Sequence, residues 1–233
     1  MNYQPTTAVT PFTPRTPAAA LPAHITGISL VNLAARQRML SQRMILQTLL
    51  AARGDAQKLE AAQRSLQIFT ESQQHLLATP RQLEPASAQK IEATYHGVRG
   101  VGPVIDTFMQ LMRRTLEQIE RKAPGVAESL IELVGHTDRI LEALNTATTA
   151  FDDITKAKSE AMMKELAGIV GDIQSVAKEA KVVSFNAQIM AARAGQHGRE
   201  FAVVANVLSD ITGEIDGLTR KAAVLADRNK LAA

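Results

Sequence analysis

The sequence predicts an all-α protein: an antiparallel four-helix bundle that continues into an antiparallel coiled-coil hairpin and pairs as a dimer. Three observations carry the prediction. Helix breakers cluster at a few places and leave long runs between them. Ala, Leu, Gln, Glu, Lys and Arg dominate, which favours helix over sheet, and aromatics make up only 3% of the chain. Near the C-terminus, apolar residues recur at alternating steps of three and four on both sides of one Gly-flanked turn.

Residues 1–27 carry Pro5, Pro11, Pro14, Pro17 and Pro22 among Thr and Ala. Such a segment cannot propagate a helix or bury a core, so a disordered tail is expected. From Ile28 the pattern is helical. Breakers fall at Gly54-Asp55, from Thr79-Pro80 through Pro85, at Ala123-Pro124-Gly125 and between Gly195 and Gly198. They predict helices at 28–53, 56–78, 86–122, 125–194 and 200–229. Gly97, Gly100, Gly102 and Pro103 are placed to kink or split the third. Gly135, Gly168 and Gly171 are weak points in the fourth, costing about 1 kcal/mol each against Ala. The first three helices and the start of the fourth would form a bundle at 28–155, and residues 156–233 a hairpin.

In the hairpin the descending apolar positions are Leu166, Ile169, Ile173, Val176, Ala180, Val183, Ala187, Met190 and Ala194. The ascending ones are Phe201, Val204, Leu208, Ile211, Ile215, Leu218, Ala222 and Leu225. Two such heptad seams predict arms that face each other. A dimer completing a four-helix bundle is one outcome, and a hairpin packed on the N-terminal bundle is the other.

Composition excludes several functions. There is no Cys, hence no disulfide scaffold, thiolate metal site or Cys nucleophile. His24, His75, His96, His136 and His197 show no metal-ligand spacing, and no P-loop, GxGxxG or GxSxG occurs, so neither a metal, a cofactor nor an enzyme is expected. The Thr16–Ala35 stretch is broken by Pro17, Pro22 and Gly27, which argues against a membrane span, and a cytoplasmic protein is expected. The net charge of +3 is local: residues 1–54 hold five Arg and no acid. Lys and Arg are too sparse, and aromatics too few, for a nucleic-acid binder.

Those arginines single out the first helix. At about 100° per residue, Val31, Ala35, Arg38, Gln42, Ile45 and Leu49 share an arc of about 80°. Asn32, Arg36, Arg43 and Gln47 lie on another arc. Arg38 is thereby expected on a mainly apolar face, where a guanidinium must find a partner. Its own helix offers no acid. Either Glu71 or Asp106 pairs with it, or a bound anion does.

Two resemblances follow. The run Val183-Ser-Phe-Asn-Ala-Gln-Ile-Met-Ala-Ala-Arg-Ala-Gly-Gln-His-Gly-Arg-Glu-Phe-Ala-Val-Val-Ala205 closely resembles the signalling tip of methyl-accepting chemotaxis receptors. Asn186, Ala187, Ile189, Ala191 to Gly195, Gly198, Arg199 and Phe201 to Ala205 match in register. The resemblance implies a dimeric hairpin whose tip contacts a chemotaxis histidine kinase and its coupling protein. It also implies that Val182, Arg193 and Val203 lie where receptor dimers meet. Charged positions of that pattern are here Met190, Val207 and Ser209, and its second turn Gly is Glu200. These departures predict weakened kinase coupling. With the chain ending at Ala233, the family's long methylated helices are not expected.

The second, Val31-Asn-Leu-Ala-Ala-Arg-Gln-Arg-Met-Leu-Ser-Gln-Arg-Met44, is similar to the opening motif of the PilJ-type sensor domain of type IV pilus chemotaxis receptors, with Ala35 in place of a Gly. A related box occurs in nitrate/nitrite sensor kinases. The resemblance implies that Arg38 from two subunits holds nitrate or nitrite across a dimer axis, helped by backbone near Ala35. Asn32, Arg36 and Arg43 are further candidates. An Arg fork donates paired hydrogen bonds that suit a planar oxyanion.

The expectation is therefore a chemoreceptor-like sensor that binds a small oxyanion and signals through its hairpin tip. The alternative is a non-sensing adaptor that co-assembles with chemoreceptors or another helical partner. A tail docking on an anionic surface is a third, weakened by the tail's single Arg15.

Overall fold

The computed structural model describes residues 22–232. These form seven α-helices and no strand: α1 Leu30–Ala51, α2 Ala56–Ala78, α3 Pro85–His96, α4 Gly102–Glu120, α5 Val126–Gly135, α6 Thr137–Arg193 and α7 Arg199–Ala232. The expected all-α class holds. The predicted third helix is split into α3 and α4, and the predicted fourth into α5 and α6.

Local chemistry explains the boundaries. The Ser29 hydroxyl accepts from Asn32 N at 3.3 Å and caps α1. Asp55 Oδ1 accepts from Lys58 N at 3.1 Å and opens α2. Between α3 and α4, Val101 N donates to Thr94 O at 2.9 Å, folding the chain back on Tyr95. A Cβ on Gly100 would come within 2.5 Å of the Tyr95 carbonyl oxygen, so the turn admits no side chain there. The second break follows Gly135, at His136, whose Nδ1 lies 2.9 Å from Glu132 O. Gly168 and Gly171, also expected to weaken the helix, are traversed by α6 without interruption.

Residues 1–21 of the expected tail lie outside the described residues. Residues 22–27 do not behave as tail. They turn, with Ile25 N donating to Pro22 O at 2.9 Å. Ile25 is buried, and His24 Nε2 lies 3.3 Å from Glu71 Oε2. One buried isoleucine and the His24–Glu71 contact hold residues 22–27 against the first unit.

The described residues group into two compact units. One takes in the chain up to Ala78 together with Phe108–Thr137. Its core holds Leu33, Met44, Phe69, Leu76, Phe108, Met112 and Leu133. Phe69 and Phe108 pack edge to face, ring centroids 5.9 Å apart. The α1–α2 contact inside it is partly polar. Gln37, 0% exposed, donates from Nε2 to Phe69 O at 3.0 Å, and Gln47 and Ser65 share a 2.9 Å hydrogen bond.

The other unit comprises Thr79–Thr107 and the chain from Asp138. It buries Ile91, Tyr95, Ile105, Ile140, Leu144 and Phe151. Lys90 Nζ meets Asp153 Oδ2 at 2.7 Å. Lys156 bonds Asp152 at 2.9 Å, and that hydrogen bond and charge hold its ammonium above the ordinary lysine pKa. Helix α6 passes residue 155, where a domain boundary was expected, as unbroken helix.

The hairpin of α6 and α7 has a different inner face from the expected one. Buried between the arms are Ala177, Ser184 and Ala191 on α6 and Ala205, Thr212 and Thr219 on α7. Of the expected seam, Ala180, Ala187, Leu208, Ile215 and Ala222 are half-buried. Leu166, Ile169, Ile173, Val176, Val183, Met190, Phe201, Val204, Ile211, Leu218 and Leu225 are exposed. The physical reason is arm spacing. The short turn draws the arms so close that Ala, Ser and Thr fit between them and larger side chains are displaced to the flank.

Candidate functional site

The tip is built by the turn Gly195–Gly198, one 3-10 turn between α6 and α7. Ala194 N donates to Met190 O at 3.1 Å and His197 N to Ala194 O at 3.3 Å. A Cβ on Gly198 would sit 2.1 Å from the Ala191 carbonyl oxygen, so the arms touch backbone to backbone. Two helical turns further in, Ser184 Oγ donates to Ala205 O at 2.6 Å. Gln188 Nε2 donates to Asn206 Oδ1 at 2.9 Å on the exposed side. Backbone contact and cross-arm hydrogen bonds together fix the register of the two arms.

Around this frame Asn186, Arg193, Gly195, Arg199, Phe201 and Val203 are exposed, while Gly198 is buried. Phe201 and Met190 are each 71% exposed and border an open apolar recess of about 380 Å³ with Ala187, Ala194 and His197. Val182, Phe185, Ile189, Val203 and Val207 are exposed as well. The signalling-tip residues singled out from the sequence thus lie together at one end of the hairpin. Apart from Gly198, all are open to contact.

The first-helix candidates are not assembled in this way. Arg38 is exposed, not set in an apolar face. The buried face of α1 is Leu33, Gln37, Leu40, Met44, Thr48 and Ala51, rotated by roughly 140° from the expected stripe. The cause is that Gln37, Ser41 and Thr48 are buried with satisfied donors. Ser41 Oγ donates to Arg38 O and Thr48 Oγ1 to Met44 O, both at 2.8 Å. Apolar letters alone therefore misplaced the helix face, and the desolvation argument for an anion at Arg38 falls.

Arg36 is half-buried and donates to Ser72 Oγ on α2 at 3.2 Å. Its Nε is buried with no hydrogen-bond partner. Positions 36 and 38 point about 160° apart on a helix, so the two guanidinium groups do not converge. Asn32 and Arg43 are exposed, and Ala35 is half-buried. With the Gln47 amide turned to donate to Ser65 Oγ, its oxygen lies 3.2 Å from Arg43 Nε.

Sequence reasoning missed a polar groove in the first unit. It has a volume of about 440 Å³, and Gln63, Gln67, Thr70, Glu71, Gln74, Arg113 and Glu117 line it over Leu66 and Leu116. Gln67 Nε2 donates to Glu71 Oε1 at 2.8 Å there. The available signal was the run of Gln at 63, 67 and 74 on one face of α2. Among the described residues no helix is long and apolar enough to cross a membrane.

No family model matches the chain, and no solved structure matches it. Curated relatives do. A probable methyl-accepting chemotaxis protein of Bacillus thuringiensis subsp. konkukian is 24% identical over 142 residues, covering 60% of this chain and 24% of its own. The methyl-accepting chemotaxis protein McpS of Pseudomonas putida is 31% identical over 90 residues, 39% of this chain and 12% of its own. TlpB of Bacillus subtilis, also a methyl-accepting chemotaxis protein, is 29% identical over 107 residues, 43% of this chain and 16% of its own. The chain spans less than a quarter of the length of each of these relatives. In sequence it is chemoreceptor-like.

Proposed function

We propose that the chain is a non-enzymatic signal-transduction element of the chemoreceptor type. Its hairpin pairs with that of a second copy into a four-helix bundle. The tip around Gly195–Gly198 then engages a chemotaxis histidine kinase with its coupling protein, or the tips of full-length receptors. One observation carries the reading. The arms meet through Ala, Ser and Thr, while Ile173, Val183, Phe201, Val204, Ile211 and Leu218 stand exposed along the flank. A row of large apolar side chains of that length calls for a cover. The similarity to methyl-accepting chemotaxis proteins supports chemotaxis-signalling partners for that flank and tip.

In the adaptor form of this reading the tip joins receptor assemblies, and no nitrate or nitrite is needed. The experiment is a pull-down of the full chain with the kinase, the coupling protein and a receptor tip. Met190→Glu with Val207→Glu should strengthen kinase binding by about tenfold by restoring charge-assisted contacts. Capture of the receptor tip alone selects the adaptor. Capture of none of the three, by either form of the chain, sinks the proposal.

A further inference from the structure

Within the second unit, helix α6 and the turn that leads into α4 border an open recess of about 310 Å³. Arg99, Val101 and Val104 line it from the turn and the start of α4, and Arg139, Glu142 and Thr146 from α6. The α6 residues are three and four apart, so they share one helix face over about 10 Å. Val101 is buried and Val104 half-buried, whereas Arg99, Arg139, Glu142 and Thr146 are exposed. The turn that carries Arg99 is held by its backbone: Gly100 N donates to Gly97 O at 2.8 Å and Val101 N to Thr94 O at 2.9 Å. Among the described residues neither Arg99, Arg139 nor Glu142 is in an ion pair.

Two guanidinium groups on one recess repel each other, and an anion that both contact relieves them. A single carboxylate offers two oxygens and one charge, which one guanidinium fork satisfies. A phosphate monoester offers three oxygens and nearly two charges, enough for both forks. The rest of the recess calls for donors. Thr146 Oγ1 donates to Glu142 O at 3.0 Å, which leaves its lone pairs to accept. An ionised carboxylate at Glu142 also only accepts. Hydroxyl groups suit both, whereas a second anionic group would be repelled by Glu142. We propose that this recess binds a hydroxylated phosphate monoester of the sugar-phosphate class. Arg99 and Arg139 hold the phosphate, and Glu142 and Thr146 accept from the hydroxyls. The site uses no residue of the hairpin tip and goes beyond the signalling reading, so either can fail without the other.

Calorimetry on the full chain compares ribose 5-phosphate with ribose, inorganic phosphate and succinate. Ribose 5-phosphate should bind, inorganic phosphate about tenfold more weakly, and ribose not at all. Arg99→Gln and Arg139→Gln should each weaken ribose 5-phosphate by about tenfold. Arg139→Lys, which keeps the charge and loses the fork, should weaken it by about threefold. Glu142→Gln should narrow the gap between the two phosphates to about twofold, because a charged acceptor is replaced by a neutral one. Arg113→Gln, in the first unit, should change nothing. Circular dichroism checks that each variant is folded. Failure of both phosphates to bind overturns the proposal. So does phosphate binding that survives both arginine substitutions in folded chains, or tighter binding of succinate. Equal affinity for ribose 5-phosphate and inorganic phosphate overturns the role given to Glu142 and Thr146.

Discussion

Gly198 rests directly on Ala191: a Cβ at position 198 would lie 2.1 Å from the Ala191 carbonyl oxygen and 2.8 Å from its carbon. The obstacle is backbone, which cannot swing aside as a side chain can. Gly198→Ala should force the arms apart at the tip and cost about 1–3 kcal/mol, the range for overpacking a tight contact. Thermal unfolding and hydrogen exchange along α7 would register the loss. An unchanged melting temperature contradicts the close approach.

The Ser184–Ala205 hydrogen bond is buried and crosses the arms. Ser184→Ala keeps the small volume and removes one hydrogen bond, an expected loss of about 0.5–1.5 kcal/mol. Ser184→Leu should cost more, because the seam has no room for it. Denaturant titration orders the two variants. The reverse order would show that the hydroxyl, not the spacing, governs the seam.

Adjacent residues on α1 should behave oppositely. Gln37→Ala deletes a fully buried side chain and its bond to Phe69 O, and a loss of about 1–3 kcal/mol is expected. Arg38→Ala, on the exposed side, should stay within about 0.5 kcal/mol. Calorimetry with nitrate and nitrite on the same two variants provides a second readout. Anion binding that Arg38→Ala removes would reinstate the oxyanion site.

In the first unit, Phe108→Ala removes a buried ring and its edge-to-face contact with Phe69. About 3–5 kcal/mol of destabilisation is expected by chemical denaturation.

Ile173→Glu with Ile211→Glu places charge on the exposed flank of both arms. Sedimentation should show less self-association, with helicity preserved. A chain that remains fully associated would show that the flank is not where hairpins pair.

Much of this architecture was legible because helix stops are written in local chemistry. Gly54-Asp55, Pro85 and Ala123-Pro124-Gly125 mark real ends, Gly97–Pro103 splits the third helix as its glycines and proline foretold, and the weak point at Gly135 is a full break. Helix faces were less legible. On α1, Gln37, Ser41 and Thr48 are buried because each has a hydrogen-bond partner, which no hydropathy pattern reveals. In the hairpin, the heptad repeat was real but marked the outer flank. Large residues announce a seam, whereas Ala and Ser, which fill the actual one, do not. The tip residues were found because their letters sit in one contiguous run, so a single turn gathers them. The apolar setting expected for Arg38 was inferred from one residue's facing, and that setting is not found.

Buried positions 177, 184, 191, 198, 205, 212 and 219 are evenly spaced by seven through the bend itself. The loop therefore consumes one whole period and leaves both rods in phase. Lengthening or shortening the pair by matched sevens would preserve every facing, whereas a change of three or four would rotate the outer flank away from any companion. Stalk length in this molecule can thus vary only in discrete increments, and a relative with a longer stem can still present the same end.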